Sequence, residues 1–362
     1  MPATINDIAR EAGVSIATVS KVINNRAHVA PSTREKVLEV MERLNYTPNA
    51  SAANLARRSS KNVLYADRFY KGLPYENPHM FDIICGVSHE LSRKGYRLSL
   101  LDLDSCGKKP EAAIEEAVLS RVADGIIISS AFVTARMERL LLRHDFPQIC
   151  IGEPRFDTIL SWIDTNNTLS SNLAVEQLIS TGCRTLAFMG GRKEDHIFMD
   201  RLRGFRSAME KRGLEIREEY ITYNPPEVEA VSRSAAALLE LPLPPDGIIC
   251  TNSLMAVGTI RAIQAKGLDI PGQVSVIAFD DHPYSPMVSP LPTIIDIDLF
   301  SLGVQAGSLL LKKIRDPSML VQTYTALPRL LLRGTTRGPG APANRPAVIS
   351  GAGPGRRNGR RP

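Results

Sequence analysis

Short apolar runs alternate with segments of helical periodicity through most of the chain after residue 61. Continuous apolar runs predict buried strands at 63–66, 97–103, 125–129, 148–151, 185–190, 247–251 and 274–279. Helical periodicity predicts helices at 81–94, 169–180, 201–211 and 253–265. Apolar strands that alternate with helices indicate parallel sheets covered on both faces. This many strands suit two doubly wound units, whose ligand would bind between them at the carboxyl ends of the strands.

The first sixty residues have a different pattern, that of three short helices. Thr4, with an acid three residues later, is suited to begin the first helix, and Gly13 is suited to end it. Ser15 can cap a second helix, and Ser32 with Glu35 is the predicted capping box of a third. A tight glycine-containing turn between the first two helices predicts a helix-turn-helix unit.

The second helix carries the chemistry that points to DNA. Once its valines are buried, the side chains predicted to face outward are Ile16, Ala17, Ser20 and Lys21. Ser15 and Thr18 are suited to phosphate contacts at the helix start. Ile16 and Ala17 can contact thymine methyl groups, and Lys21 can reach a guanine edge in the major groove. A small helical bundle with a solvated polar helix would explain this segment equally well if it stood alone.

Charge is unevenly distributed along the chain. The net charge of +6 divides into +4 over residues 1–61, −3 over 62–337 and +5 over 338–362. A basic N-terminal module on an acidic body is a pattern typical of nucleic-acid binding. The last segment combines five Arg with six Gly and five Pro, and is predicted to be a disordered tail. Such a tail either binds a polyanion or has no role.

Composition also excludes several classes of protein. No apolar run reaches the ~18 residues of a membrane span, and the charged N-terminus lacks a secretory signal, so we expect a cytoplasmic protein. The five cysteines are scattered, several within apolar runs, which favours reduced buried thiols over metal ligands. We expect no metal, no cofactor and no membrane partner.

Doubly wound sheets host many enzymatic reactions, so an enzyme is the other class of protein that this fold allows. The chain has no phosphate-binding glycine motif after a strand, no zinc motif and no nucleophile elbow. Asp280, Asp281 and His282 are adjacent at a predicted strand end, where neighbouring side chains rarely converge on a metal, so we interpret them as a polar loop. We find no catalytic residues and predict that the chain is not an enzyme.

The first sixty residues resemble a known family. The segments TINDIAREAGVSIATVSKVINN and VAPSTREKVLEVMERLNYTPNASAANLARR closely resemble the DNA-binding headpiece of the LacI/GalR bacterial repressors. The resemblance implies that Ile16, Ala17 and Lys21 read bases. It also implies a hinge helix at about 49–57 that inserts Leu55 into the minor groove. The other residues that it places at DNA are Thr4, Ser15, Thr18, Asn24, His28, Thr33, Arg34, Asn49 and Ala52.

The body of the chain is similar to the same family's periplasmic-binding-protein-like core. The matching segments are NPHMFDIICGVSHELSRKGYRL, VADGIIIS, DRLRGFRSAM, TNSLMAVGTIRAI and VSVIAFDD. The resemblance implies a small-molecule effector, a sugar or related metabolite, in the cleft between two subdomains. The residues implied to bind that effector are His79, Met80, Arg201, Asn252 and Asp280.

We therefore expect an α/β protein with an N-terminal all-α helix-turn-helix domain and two doubly wound parallel subdomains. The expected boundaries are 1–48 for the headpiece, 49–61 for the hinge, 62–337 for the core and 338–362 for the tail. Within the core, the first subdomain would be 62–162 plus 293–322 and the second 163–292 plus 323–337.

The expected function is a homodimeric, effector-controlled repressor that binds a pseudo-palindromic operator in double-stranded DNA. The alternative is a small-molecule-binding protein of the periplasmic type without a role on DNA.

Overall fold

A computed structural model describes residues 3–23, 29–46, 59–71, 73, 77, 79–105, 107–281 and 285–338. Its N-terminal unit consists of helices α1 (Ile5–Ala12), α2 (Ile16–Ile23) and α3 (Pro31–Arg43). Thr4 caps α1 as predicted, because its hydroxyl accepts the amide hydrogen of Asp7 while the Asp7 carboxylate accepts that of Thr4. Gly13, at a φ of 63°, ends the helix in the left-handed conformation. The predicted turn between α1 and α2 is therefore confirmed.

A small apolar core holds these three helices together. Its fully buried members are Ile8, Ala9, Ala12, Val19, Val22, Val37 and Val40. The predicted capping box of Ser32 and Glu35 is wrong. Helix α3 instead begins at Pro31 after Ala30, which makes no side-chain capping bond. Proline already has a helical φ and lacks the amide hydrogen that a cap would satisfy, so it can start the helix without a cap.

Two parallel sheets with helices on their faces form the body of the protein, which confirms the predicted fold class. In chain order its elements are β1 (Asn62–Asp67), α4 (His79–Arg93), β2 (Arg97–Asp102), α5 (Pro110–Leu119), β3 (Gly125–Ser129), α6 (Ala135–Arg143), β4 (Gln148–Ile151), β5 (Trp162–Thr165), α7 (Asn167–Ser180), β6 (Leu186–Gly190), α8 (His196–Lys211), β7 (Ile221–Tyr223), α9 (Val228–Leu239), β8 (Gly247–Cys250), α10 (Ser253–Ala265), β9 (Ser275–Phe279), β10 (Thr293–Asp296), α11 (Leu299–Arg315), β11 (Thr323–Ala326) and β12 (Arg329–Leu331). Short 3-10 turns lie at Ser130–Phe132, Glu218–Tyr220 and Ser285–Met287.

The first sheet has the strand order β11-β5-β4-β3-β1-β2, and the second has the order β12-β10-β9-β8-β6-β7. The pairing is parallel throughout except between β10 and β12. We call the halves built on the two sheets the first and second subdomains. Their large apolar side chains fill clusters on both faces of each sheet, as expected for strands buried on both sides.

The expected subdomain boundaries need correction because the chain changes sheets at other positions. Strand β10 pairs with β9, which places 293–296 in the second subdomain rather than the first. Strand β11 pairs with β5, which places 323–326 in the first subdomain rather than the second. The whole of β5, to residue 165, also belongs to the first sheet. Partners in a sheet are set by long-range hydrogen bonds, which the local apolar pattern does not encode.

Helices α4 and α11 cross with their backbones in contact. A Cβ on Gly303 would lie 2.2 Å from the carbonyl oxygen of Ile83, and one on Gly86 would lie 2.1 Å from that of Phe300. Both glycines are required here for close approach, since each opposing atom belongs to the backbone and cannot rotate away. This contact fixes α11 to the first subdomain although the strand before it belongs to the second.

We expect Gly303→Ala to lower the free energy of unfolding by about 1–3 kcal/mol, because the added methyl group forces the two helices apart. Gly307→Ala on the same helix is the matched control, since its Cβ would lie 3.4 Å from the nearest atoms, an ordinary contact. The control should be neutral or stabilising by up to about 1 kcal/mol, because alanine favours helix. Urea unfolding of both variants tests this, and equal losses would contradict the close crossing.

Candidate functional site

A cavity of about 520 Å³ lies between the two subdomains, at the carboxyl ends of their strands. Parallel α/β sheets bind ligands at this edge because the loops that follow the strands converge there. The polar side chains that line it include Asp67, Ser129, Ser130, Arg155 and Asp164 from the first subdomain and Asp200, Arg201, Asn224, Asn252 and Asp280 from the second. All five residues predicted to bind an effector line this one cavity.

Arg201 is buried and held on several sides. Its Nε donates to Oδ1 of Asn167 at 3.0 Å, and its Nη1 donates to the carbonyl oxygen of Thr251 at 2.5 Å. The guanidinium carbon lies 4.3 Å from the ring centroid of Phe279, and Nη2 lies 3.7 Å from Oδ2 of Asp280. These contacts fix the plane of the guanidinium before any ligand arrives, which reduces the entropy lost on binding.

Asp280 follows β9 in the left-handed conformation, with a φ of 64°. Its amide donates to the carbonyl oxygen of Ile295 at 3.0 Å, which anchors the strained residue to the neighbouring strand. The side chain is only 7% exposed, and its Oδ2 makes no hydrogen bond within the described residues. His79, at the start of α4, places Nε2 at 3.3 Å from that oxygen across the cleft. The carboxylate is therefore a buried acceptor in the wall of the cavity, between Arg201 and His79.

The remaining predicted effector residues have structural contacts as well as cavity positions. Oδ1 of Asn252 accepts the amide hydrogen of Met255 at 2.9 Å and so caps α10. Met80 is almost fully buried and belongs to the apolar core of the first subdomain.

Two acidic residues of the first subdomain line the cavity and were not predicted from the sequence. Burial raises the pKa of Asp67, at the end of β1, from its ordinary value of 3.8 to about 6. Burial also raises the pKa of Asp164 in β5, against the effect of hydrogen bonds from the amides of Glu153 and Thr165. The strand-end rule could have found Asp67, because the apolar run at 63–66 was recognised. It could not have found Asp164, because β5 was not predicted as a strand.

Two further polar residues of the cleft were also not singled out. Arg155 lies in the loop after β4, and Asp200 lies on α8. They form an ion pair between the subdomains. No local pattern in the sequence brings these two positions together.

The predicted DNA-reading face is exposed on α2. Ile16 is 50% exposed at the start of the helix, and Ala17 and Lys21 are exposed beside it. Ser15 accepts the amide hydrogen of Thr18 at 3.1 Å, and the two hydroxyl oxygens lie 2.9 Å apart. The polar side chains of Ser15 and Thr18 and the apolar side chains of Ile16 and Ala17 therefore lie together at the start of α2.

The other predicted DNA contacts lie partly outside the described residues. Thr33 and Arg34 are in the first turn of α3, and the Thr4 hydroxyl is engaged in capping α1. The predicted residues that fall outside the described residues are Asn24, His28, Asn49, Ala52 and Leu55, together with His282, almost all of the hinge and nearly all of the tail.

The part of the chain that the structure describes contains buried thiols but no cluster of metal ligands. Burial raises the pKa of Cys150 and Cys250 to about 12 and that of Cys183 to about 11, so these thiols stay protonated at neutral pH. The described residues contain no group of three or more His, Cys, Asp or Glu arranged to hold a metal ion. Among the helices that the structure describes, none has the length and apolar character needed to cross a membrane.

Two family models match the chain. Residues 4–49 match the model of bacterial regulatory proteins of the lacI family. Residues 175–336 match the model of a periplasmic binding protein-like domain. The first match covers the three-helix unit. The second begins within α7 and covers the rest of the second subdomain, together with α11 and β11 of the first.

Curated relatives and solved structures are similar over nearly the whole chain. The repressor PurR of Vibrio parahaemolyticus is 30% identical over 338 residues, which are 92% of this chain and 99% of that protein. Catabolite control protein A of Priestia megaterium is 31% identical over 313 residues, 86% of this chain and 92% of that protein. A lac repressor dimer bound to operator has a TM-score of 0.80 at 24% identity, covering 93% of this chain and all of that one. A CelR–cellobiose complex has a TM-score of 0.67 at 24% identity, covering 92% of this chain and 99% of that one.

The fold and the site define a class of protein in which a helix-turn-helix headpiece is joined to a two-subdomain core with a ligand cleft. With the matches above, the chain belongs to the lacI family of bacterial regulatory proteins, and it is a DNA-binding transcriptional regulator of the repressor type. The alternative of a binding protein without a role on DNA is not favoured.

The raised pKa of Asp67 predicts a pH-dependent stability. The folded state holds this proton up to about pH 6, whereas the unfolded chain releases it near 3.8, so ionisation costs stability as the pH rises between these values. Asp67→Asn removes that cost and can still accept the amide hydrogen of Arg68. We expect its stability relative to wild type to rise by at most about 3 kcal/mol between pH 4 and pH 7, measured by urea unfolding.

Asp102→Asn is the control for this measurement, because Asp102 pairs with Asp67 in the register of β1 and β2. Partial burial would raise the pKa of Asp102, but hydrogen bonds from Ser105 and from backbone amides hold it below its usual range. Its stability relative to wild type should therefore fall with rising pH only below about pH 4, and should change little between pH 4 and pH 7. The same sign for both variants would contradict the assignment.

Proposed function

We propose that this regulator is a homodimeric repressor whose affinity for a pseudo-palindromic operator is controlled by a small hydroxylated metabolite, a sugar or a related compound, in the cleft. It acts in the cytoplasm by binding alone, without an enzymatic step. The sequence relatives support this proposal, because those compared above are named as a repressor and a catabolite control protein.

The observation that carries the proposal is the pairing of Arg201 and Asp280 on the cleft wall. The guanidinium offers donors in a fixed plane, and the carboxylate beside it is a buried acceptor in the cavity wall, with one oxygen that makes no hydrogen bond within the described residues. Adjacent donors and acceptors fit neighbouring hydroxyl groups, each of which both donates and accepts. Solved structures of two similar proteins contain sugars, cellobiose in one and ribose in the other. We assign the effector contacts to this pair, with His79, Met80 and Asn252 at the edges of the same cavity.

Control of DNA binding would follow from the position of the cleft. A ligand that contacts both subdomains binds best at one separation of the two and therefore favours that separation. A change in their relative position would reach the headpieces through the hinge at 49–61. Coupling of this kind amounts typically to about 1–3 kcal/mol between the two binding events.

The assembly as a dimer rests on the symmetry of operator recognition and on an exposed sheet edge. One headpiece reads only a half-site, so specific binding to an inverted repeat requires two copies. Strand β2 is an edge of the first sheet and exposes Leu100 by 56%. Leu119 and Val122 nearby in the sequence are also largely exposed apolar side chains. An exposed apolar side chain on an edge strand, such as Leu100, is suited to contact with a second copy of the chain.

Selection of bound sequences from a random duplex pool, at near-physiological salt, should recover an inverted repeat. Ile16→Ala should then weaken binding to that repeat about tenfold or more while leaving non-specific binding unchanged, because it removes an apolar base contact and no charge. Leu38→Ala is the control, since Leu38 has a similar exposure of 48% on α3. Equal effects of the two variants on both kinds of binding would contradict the reading role of Ile16.

Asp280→Asn and Arg201→Lys should keep operator affinity within about threefold of wild type and abolish the response to effector. Asparagine lacks the negative charge that attracts the hydroxyl donors of the ligand. Lysine lacks the planar set of donors that a guanidinium provides. A thermal-shift screen of mono- and disaccharides against the wild-type protein identifies the effector. The operator affinity of each variant is then measured by titration with and without that effector. Arg203→Ala, on the exposed side of α8, should respond as wild type does. Loss of DNA binding itself in the first two variants would assign them a structural role instead.

A further inference from the structure

One ion pair joins the two subdomains at the mouth of the cleft. Arg155 lies in the loop between β4 and β5 of the first subdomain, and Asp200 lies on α8 of the second. Nη1 of Arg155 donates to Oδ1 of Asp200 at 3.0 Å, and Nη2 donates to Oδ2 at 2.5 Å. Two parallel bonds of this kind fix both the distance and the orientation of the partners, and are among the stronger polar contacts in proteins.

Each partner is attached to a different rigid unit. Asp200 sits on a helix whose buried residues Phe198, Leu202 and Phe205 fill the core of the second subdomain. Arg155 is tied to the first sheet, because the amide of Glu153 donates to the Asp164 carboxylate in β5. Separation of the subdomains beyond the reach of the Arg155 side chain would therefore break both hydrogen bonds.

Asp164 gives the guanidinium of Arg155 a second role when the two subdomains are close together. Its pKa is raised by burial and also by the charge of Asp200 across the cleft, whereas Arg155 lowers it. Without the guanidinium, two carboxylates from opposite subdomains would face each other in a partly buried site. Asp200 is only 15% exposed, so water would screen this repulsion weakly.

We propose that the Arg155–Asp200 pair is a latch that holds the cleft closed when no effector is bound, and so sets the open–closed equilibrium on which the effector acts. Removing either partner shifts that equilibrium toward the open form throughout the cleft. The latch is independent of the identity of the effector and of the residues that bind it.

The chain contains a matched control for this pair. Arg203, one turn further along α8, also donates to the Asp200 carboxylate, but it belongs to the same helix. Arg203→Ala thus removes one partner of Asp200 and leaves the contact between the subdomains in place. Arg155→Ala removes the contact that crosses the cleft, at a side chain that is 41% exposed and outside the apolar core.

Hydrogen–deuterium exchange of the full-length, ligand-free protein measures the opening. The informative peptides cover the parts of the cleft wall that neither residue touches, at 67–71, 129–132 and 251–255. Arg155→Ala and Asp200→Asn should each speed exchange there about fivefold, the upper range for an ion pair that is partly exposed. The double variant should add nothing further, and Arg203→Ala should match wild type. In wild type, 1 M salt should speed exchange at these peptides, whereas in Arg155→Ala it should not.

Different results would overturn the proposal. Faster exchange confined to peptides next to the substitutions, at 153–165 and 196–204, would show a local contact without control of the cleft. Additive effects in the double variant would show that the two residues act separately. Arg155→Lys, which keeps the charge but loses the paired bonds, should fall between Arg155→Ala and wild type, and a cooperative thermal transition in every variant confirms that each one folds. Failure of the latch would leave operator selection unaffected, so the two proposals are tested separately.

Discussion

The arrangement of the core depends on a chain that passes between two sheets instead of completing one before starting the other. Strand β5 ends the first run through the first sheet, and the chain returns to that sheet only for β11, after β10 has been added to the second. The crossing segments contact one another, since the amide of Asn166 donates to the carbonyl oxygen of Ala326 at 2.9 Å and Arg329 pairs with Asp296 at 2.6 Å. Neither subdomain is complete without a segment that comes from the other, so the two are joined at one side and can part only at the cleft.

This topology explains why charged residues collect where they do. Strand ends from both sheets face the same cavity, and side chains at such positions are partly buried beside it. Asp67, Asp164 and Asp280 occupy three of these strand ends. Buried carboxylates are costly unless a donor or a cation compensates them, and each of the three is compensated differently. Asp280 has Arg201 and His79, Asp164 has backbone amides and Arg155, and Asp67 remains the least compensated, with a pKa near 6.

The local parts of this structure could be predicted from the sequence and the long-range parts could not. Strands such as 125–129 and 148–151 and the helix at 253–265 have the predicted bounds, because apolar runs and the capping Asn252 are local signals. The cap at Thr4 succeeded for the same reason, while Pro31 replaced the expected capping box because its ring alone defines the helix start. The assignment of β10 and β11 to sheets failed, since it depends on the tertiary pairing of β10 with β9 and of β11 with the distant β5. Arg201 and Asp280 were found by motif, whereas Arg155 and Asp200 meet only through the tertiary fold.

The position of the latch bears on how an effector could control this regulator. The pair and the cavity wall share one cleft, but Arg155 and Asp200 form hydrogen bonds with each other and not with Arg201 or Asp280. A ligand shifts an equilibrium only by its difference in affinity for the two states. If the ligand-free cleft is already mostly closed, a ligand that simply fits the closed form can change little. An effective ligand must then either strengthen closure well beyond what the latch provides or compete with the His79–Asp280 contact that spans the same gap. The second route would use the buried Asp280 carboxylate as an acceptor for the ligand. Asp280 would then take part both in ligand binding and in the contact with His79 that joins the two subdomains.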